Sequence, residues 1–169
     1  GPEGPLGDGA EGDIAVRRGA AAMMLGYWQN PQATADKFRG DWMVTGDRGI
    51  WEGDFLRFVG QEDDVITSAG YRIGPAEIED CLLRHPSVAM AAVIGVPDPL
   101  RTEAVQAHVV LKTGALATES DLQTHVRTRL SAHLVPRVIR FETALPMTVT
   151  GKIIRKEIKR TATLKGVSP

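Results

Sequence analysis

The chain has little cysteine, almost no net charge and no long apolar run. Its 169 residues include one cysteine, Cys81, so no disulfide can form within the chain. The formal net charge of −1 argues against a strong attraction of the whole chain to nucleic acid. No apolar stretch reaches the length of a membrane span, and no signal peptide is recognisable. We therefore predict no disulfide scaffold, no membrane span and no nucleic-acid partner.

Metal-ligand patterns are also missing. The four histidines are His85, His108, His125 and His133. None is spaced with a cysteine or an acidic residue as a pair of metal ligands would be, which predicts that the protein itself holds no metal. Hydrophobic content of 43% and charged content of 24% are ordinary for a globular protein. The length allows one good core, or one small domain with an appendage. The sequence does not begin with Met, so we expect a fragment or a processed chain.

Residues 60–79, GQEDDVITSAGYRIGPAEIE, organise the chain. An acidic elbow at residues 62–64 interrupts the apolar alternation and separates two segments of different character. Two short strands then flank a tight turn at residues 68–70, and Gly74-Pro75 stops the second strand and starts a helix at Ala76. The pattern predicts a hairpin followed directly by a helix.

Strands and helices alternate beyond the elbow. The almost continuously apolar residues 88–96 predict a buried central strand, and residues 104–111 and 138–141 predict two more. Thr118 with Asp121 resembles a capping box at the start of a helix, and a terminal helix or arm is expected over residues 152–164. We predict an α+β domain: a hairpin and a central sheet of about three strands, flanked by helices.

The region before the elbow has a different, β-rich pattern. Residues 13–16, 42–44 and 55–59 are strand candidates, and a short helix follows Asn30-Pro31. Thr45-Gly46-Asp47 and Glu52-Gly53-Asp54 are both predicted as turns between two of these strands. The division predicts one region over residues 1–62 and a second over residues 63–169.

Three motifs in order carry a resemblance to a known family. The three motifs are Thr45-Gly46-Asp47, the stretch 60–79 and the segment PMTVTGK at residues 146–152. They closely resemble motifs of the adenylate-forming superfamily, and they look most like those of short- or medium-chain acyl-CoA synthetases. The resemblance covers nearly the whole chain but only the last part of such an enzyme. It implies that residues 1–62 are a partial β-barrel left from the large N-terminal domain, and that residues 63–169 are the mobile C-terminal domain.

The resemblance also implies residue roles at the nucleotide. Asp47 would accept hydrogen bonds from the ribose hydroxyls of ATP, and Arg72 would contact the α-phosphate or ribose oxygens. Gln61 stands where many members have arginine, so it keeps hydrogen bonding there but loses the charge. Asp63 matches the hinge about which the small domain swings. From the residues alone, Asp47 as a local turn cap and Arg72 as a surface ion-pair partner remain open.

Two further roles concern the reacting groups. Ala69 and Gly70 would line the tunnel that admits the pantetheine arm of CoA, and Gly70 permits close approach of a ligand. Lys152 would be the catalytic lysine that reaches the carboxylate and the α-phosphate as they combine. It is not a phosphate-loop lysine of the Walker type, because Pro146 stands where that motif requires glycine.

The implied parent is an ATP-dependent acyl-CoA synthetase using a carboxylic acid, ATP, CoA and Mg²⁺, the metal being held mainly by the phosphates. The fragment alone is expected to be inactive, cytoplasmic and able to self-associate through the exposed barrel remnant. The alternative is a non-catalytic binding module that uses a basic C-terminal segment, Lys152, Arg155, Lys156, Lys159 and Arg160. RNA is disfavoured as its ligand because aromatic residues do not interleave with these charges.

Overall fold

The computed structural model describes the backbone of residues 4–165 and the side chains as far as residue 162. The chain forms two compact units: the first ends at Asp63 and the second begins at Asp64. This boundary lies one residue after the predicted division. A 3-10 turn, Glu62–Asp64, contains both boundary residues, and Asp63 is exposed within it.

The first unit is built on a four-stranded sheet. Strand β3, Trp42–Glu52, lies between β1, Glu11–Arg17, and β2, Phe38–Arg39. Strand β4, Phe55–Gln61, also pairs with β3. Asn30 caps the helix by accepting a hydrogen bond from the Ala33 N–H at 3.0 Å, as its position before Pro31 suggests. The elements are β1 Glu11–Arg17, α1 Pro31–Asp36, β2 Phe38–Arg39, β3 Trp42–Glu52 and β4 Phe55–Gln61.

The predicted turn at Thr45-Gly46-Asp47 is wrong. Strand β3 runs from Trp42 to Glu52 through these residues, and the turn comes only after Glu52. Gly46 has φ +92°, a value that glycine adopts without a steric penalty, and the pairing of β3 with β1 shifts register between Asp13 and Ala15. The glycine therefore bends a continuous strand rather than ending it.

The first unit buries little apolar surface. Among the described residues, every buried hydrophobic side chain belongs to the second unit, at Ile66 or beyond. Trp28 is 88% exposed, Phe55 77% and Phe58 52%. Phe38 is half-buried, with the Arg18 guanidinium 4.0 Å from its ring centre. This unit thus leaves several large apolar side chains exposed.

The second unit is a five-stranded sheet covered by helices. The described elements are β5 Ile66–Ser68, β6 Tyr71–Ile73, α2 Pro75–Leu83, β7 Val88–Asp98, β8 Thr102–Leu111, α3 Glu119–Arg127, a 3-10 turn Ala132–Leu134, β9 Val138–Phe141 and α4 Arg155–Lys165. Strand order is β6-β5-β8-β7, and β9 pairs with β8 in parallel. The predicted capping box of α3 is present, with Thr118 and Asp121 bonded reciprocally.

The α+β prediction is confirmed, with one addition to the sheet. Strands β7, β8 and β9 form the three-stranded centre that the apolar runs predicted. The β5–β6 hairpin joins the same sheet, because Ser68 pairs with Thr102 at the start of β8. One residue pair joins the hairpin to the sheet ladder, and the buried side chains of Ile66 and Ile73 join it to the larger apolar cluster.

Two apolar clusters hold the second unit together. The larger joins α2 and α3 to the sheet, with Ile78 and Leu122 fully buried. The smaller places Ile158 of α4 against Ala92 and Ile94 of β7. Cys81 is buried as predicted, and burial raises the pKa of its thiol. Across residues 4–165, no helix is long and apolar enough to cross a membrane.

Candidate functional site

Strands β3 and β4 bring Asp47 and Gln61 together in the first unit. The two residues are directly paired in the antiparallel ladder, so their side chains leave the same face of the sheet. The Asp47 N–H donates to the Thr45 hydroxyl at 3.1 Å, and that hydroxyl donates to the Ile14 carbonyl at 2.9 Å. The backbone around Asp47 is thus fixed to β1. The Asp47 carboxylate lies on the same face of the sheet as the Gln61 side chain.

An ion-pair cluster beside Asp47 was not foreseen from the sequence. Arg48 donates to Glu11 at 2.6 Å and to Asp13 at 2.9 Å, which joins β1 to β3. The hydrogen bond to Glu11 raises the pKa of Arg48. No local motif marks these residues, since the partners are separated by 37 and 35 positions in the chain.

The β5–β6 hairpin presents the residues assigned to CoA and phosphate. Ala69 and Gly70 have φ values of +49° and +84°, as in the mirror-image turns that suit a two-residue hairpin. Both are exposed, and a Cβ placed on Gly70 would meet no atom within 4 Å. Arg72 is exposed on β6 and pairs with Thr67. The turn therefore offers open backbone close to a cation.

The segment at residues 101–103 holds this hairpin in place. Ala69 donates its N–H to the Arg101 carbonyl at 2.9 Å, and Glu103 accepts the Thr67 N–H at 2.6 Å. Thr102 has φ +73°, a conformation that is strained for a β-branched residue. The Glu103 carboxylate also lies over Gly95, where a Cβ would approach its oxygen to 2.5 Å. These residues position the turn.

Lys152 lies at the base of a tight loop. Met147 and Ile153 form an isolated antiparallel bridge, and the Thr148 N–H donates to the Lys152 carbonyl at 2.8 Å. The Lys152 N–H in turn donates to the Thr148 hydroxyl at 3.0 Å. Gly151 has φ +84°, which closes the loop. Because its backbone is bonded on both sides, the loop presents the exposed Lys152 side chain from a defined base.

The first residue of α4 is the centre of a buried ionic network. Arg155 donates to both oxygens of Glu79, at 3.2 Å from Nε and 2.6 Å from Nη2. Glu79 Oε1 also accepts the Val93 N–H of β7 at 2.8 Å. Asp64 lies 3.4 Å from Arg155 and 4.0 Å from Lys159. Residues far apart in the sequence thus meet at the covered edge of the sheet.

This network weakens the alternative of a basic binding segment. Arg155 belongs to the interior, with 18% of its side chain exposed, and Lys159 lies beside Asp64. Lys152, Lys156 and Arg160 are exposed. The segment is therefore not one continuous basic face.

Comparison with known proteins extends these observations. The AMP-binding enzyme C-terminal domain family matches residues 77–152, which include the Lys152 loop. The human mitochondrial acyl-coenzyme A synthetase ACSM2B is 43% identical over 163 residues, covering 91% of this chain. The rat mitochondrial acyl-coenzyme A synthetase ACSM2 is 42% identical over the same length. Residues 77–152 thus match the C-terminal domain of AMP-binding enzymes, and the chain is similar to acyl-coenzyme A synthetases over 91% of its length. It spans 28% of the length of these curated relatives.

Solved structures of adenylate-forming enzymes share the fold. The anthranilate CoA ligase AuaEII, in complex with anthranoyl-AMP, superposes with a TM-score of 0.86 at 32% identity, covering 96% of this chain and 32% of that one. The amide bond synthetase McbA from Marinactinospora thermotolerans gives a TM-score of 0.82 at 36% identity, covering 94% and 32%. The curated relatives are named as mitochondrial, so the cytoplasmic location stays a prediction.

Proposed function

We propose that this chain is the C-terminal portion of an ATP-dependent acyl-CoA synthetase. The intact enzyme joins a carboxylate to AMP with release of pyrophosphate, then transfers the acyl group to the sulfur of CoA and releases AMP. The observation that carries the proposal is the 43% identity to an acyl-coenzyme A synthetase across 91% of the chain, which extends over both units.

Lys152 is assigned to the first step. A carboxylate oxygen attacks the α-phosphorus while the bond from that phosphorus to the pyrophosphate oxygen breaks, so negative charge accumulates between two anions. A positioned ammonium group stabilises that charge most where little water is present. The exposed side chain and the bonded loop base of Lys152 suit this task.

Three residues are assigned to the nucleotide. The Asp47 carboxylate accepts hydrogen bonds from the ribose hydroxyls, and Gln61 beside it supplies uncharged donors and an acceptor. Arg72 meets the α-phosphate or ribose oxygens with its planar fork. The pairing of Asp47 with Gln61 in the ladder supports a shared ligand for these two.

The hairpin is assigned to the second step. The CoA thiol attacks the acyl carbon, the thiol proton is released, and AMP leaves with the electrons of the acyl–oxygen bond. Ala69 and Gly70 would border the pantetheine arm, for which the open space over Gly70 provides room. A rotation about Asp63 would exchange the Lys152 loop for this turn at the reacting carbon.

Magnesium is assigned to the phosphates of ATP rather than to this chain. Within the described residues, no group of three or more histidine, cysteine, aspartate or glutamate side chains could hold a metal. The metal would neutralise phosphate charge, and any protein ligands to it would come from outside these residues.

The direct test uses the intact enzyme with a panel of carboxylic acids, ATP, Mg²⁺ and CoA. We expect pyrophosphate release that requires a carboxylate, and acyl-CoA formation that requires CoA. Nucleotide hydrolysis without dependence on any carboxylate would contradict the proposal.

An amide-forming ligase is the second candidate. The amide bond synthetase McbA matches this chain at 36% identity with a TM-score of 0.82, so an amine could replace CoA as the acyl acceptor. Offering CoA and simple amines to the same acyl-adenylate separates the two functions. Formation of amide but no thioester would replace the first proposal.

The isolated chain is predicted to have no synthetase activity. It contains Lys152, Asp47 and Gln61, but its sequence has no Ser/Thr/Gly-rich phosphate loop. We expect no carboxylate-dependent pyrophosphate release from the purified chain, while the intact enzyme under the same conditions serves as the positive control. Measurable release by the chain alone would show that the phosphate-binding groups are present within it.

Asp63→Pro is predicted to affect the two steps unequally in the intact enzyme. Proline fixes φ at about −65°, so it should favour one orientation of the C-terminal domain, either that for adenylation or that for thioester formation. Asp63→Ala is the matched control, because it removes the carboxylate but leaves φ free. Single-turnover rates of adenylation and thioester formation measure the effect. Equal small losses in both steps would argue against rotation at Asp63.

The isolated chain is predicted to self-associate through its first unit. The side chains of Trp28, Phe55 and Phe58 are each more than half exposed, and exposed apolar surface favours association. Sedimentation velocity should show association that rises with concentration, and Phe55→Ser with Phe58→Ser should reduce it. A strictly monomeric wild-type chain at all concentrations would contradict this prediction.

A further inference from the structure

Arg155, at the end of the Lys152 loop, links this loop to Glu79 on α2 and to Asp64 at the start of the second unit. It is the first residue of α4, three positions after Lys152. Its guanidinium binds both oxygens of Glu79 on α2, and Glu79 is itself anchored to the Val93 N–H of β7. The side chains of Arg155 and Glu79 are 18% and 11% exposed. The end of the loop is thereby tied to the core of the unit.

The other side of Arg155 faces the start of the unit. Its Nη1 lies 3.4 Å from Asp64, the residue that follows the proposed hinge Asp63. Asp64 has 14% of its side chain exposed, and Lys159 on the next turn of α4 lies 4.0 Å from it. Asp64 is thus bound to α4, the helix that follows the Lys152 loop in the chain.

We propose that Arg155 is a positioning residue for the first chemical step: it holds the Lys152 loop and residue 64 as one rigid body through Glu79 and Asp64. The inference rests on the proposed synthetase function. A planar, bidentate guanidinium fixes direction as well as distance, which a lysine ammonium at the same position cannot do.

The loop also contacts the core through apolar packing, because Leu145 is buried in the smaller cluster and Ile153 packs against the same cluster. Apolar packing is non-directional, so a bidentate ion pair adds an orientation that packing leaves open. The backbone bonds between Thr148 and Lys152 close the loop on itself, and the Ile154 N–H donates to the Pro146 carbonyl at 2.9 Å. These bonds set the shape of the loop, but all of them lie within residues 146–154. The Arg155 side chain adds an ionic link from the end of this loop to Glu79 and Asp64 in the rest of the unit. Because small misplacements of a reacting group lower rates steeply, this anchor should influence adenylation.

The test is Arg155→Lys in the intact synthetase, with the two half-reactions measured separately. We expect adenylation from ATP and carboxylate to fall by roughly 10- to 100-fold, because a displaced lysine loses much of its effect. Thioester formation from synthetic acyl-adenylate and CoA should stay within about twofold of wild type. Equal losses in both half-reactions would overturn the proposal.

A double variant separates positioning from general damage. If Arg155 acts through Lys152, Arg155→Lys added to Lys152→Ala should slow adenylation no further. A further loss of the same size in the double variant would overturn the positioning role. Arg127→Lys, an exposed arginine on α3, is the matched arginine control, and Leu122→Ala destabilises the core from the same helix. Neither control should change the ratio of the two half-reactions.

A readout that needs no activity completes the test. Amide hydrogen exchange over residues 146–154 should accelerate in Arg155→Lys, but not in Leu122→Ala compared at equal loss of global stability. Unchanged exchange in the loop would overturn the proposal even if rates fall. If the wild-type enzyme shows no carboxylate-dependent adenylation, the proposed function fails, whereas the exchange measurement still decides whether Arg155 anchors the loop.

Discussion

Lys152→Ala in the intact synthetase is expected to slow acyl-adenylate formation by about 100-fold and to leave thioester formation nearly unchanged. Adenylation brings a carboxylate against the α-phosphate, and Lys152 is assigned to neutralise that crowding. By analogy with loss of one oxyanion-hole donor, the barrier should rise by on the order of 3 kcal/mol. Thioester formation begins after the adenylate exists, when the domain has rotated in the proposed cycle.

The measurement is a pair of single-turnover assays on the same protein. One starts from ATP and carboxylate, and the other from synthetic acyl-adenylate and CoA. Lys112→Ala is a suitable control, because Lys112 is an exposed lysine in the loop after β8 of the same unit. If Lys152→Ala slows both steps alike, Lys152 is structural or serves both orientations, and its assignment to adenylation is wrong.

Glu79→Ala is expected to destabilise the second unit strongly. The substitution leaves Arg155 without its bidentate partner and removes the acceptor of the Val93 N–H. Removing one partner of a buried ion pair costs about 3–5 kcal/mol, and the exposed 18% of the Arg155 side chain places this site toward the lower end. An unpaired N–H in the covered edge strand adds to the loss.

Asp80→Ala is the matched control for this prediction. Asp80 is the next residue on the same helix and is exposed, so both variants remove one carboxylate from α2 but the two sites differ in burial. Urea unfolding should be followed by far-UV circular dichroism, since all three tryptophans, at positions 28, 42 and 51, lie in the first unit. A loss in Glu79→Ala no larger than that in Asp80→Ala would show that the ionic network contributes little stability.

Local signals in the sequence predicted much of the second unit. Thr118 with Asp121 marked the start of α3, Gly74-Pro75 marked the start of α2, and residues 138–141 match strand β9. Each of these depends on neighbours within a few positions, through a cap, a fixed proline φ or an apolar run. The same local chemistry placed the tight turn at Ala69 and Gly70.

Motifs also identified Lys152, Arg72 and Asp47 as candidate site residues. They did not identify the contacts that position these residues. The local pattern around Asp47 suggested a turn, whereas pairing with β1 and β4 makes it part of a long strand. Glycine allows either outcome at Gly46, so the partner strands decided between them. The placement of Gln61 opposite Asp47 follows from the same pairing.

The sequence by itself determined the element order of the second unit and the residue types available for chemistry. Only the tertiary structure decided that the hairpin joins the sheet at Ser68 and Thr102, and that Glu79 meets Arg155 and Asp64. Arg155 and Glu79 are 76 positions apart, and Arg155 and Asp64 are 91 apart. A charged residue carries no local mark of its distant partner, because an ion pair is specified by packing of the helices and strands that bear it. For that reason the chemical groups could be predicted, while the contacts that position them could not.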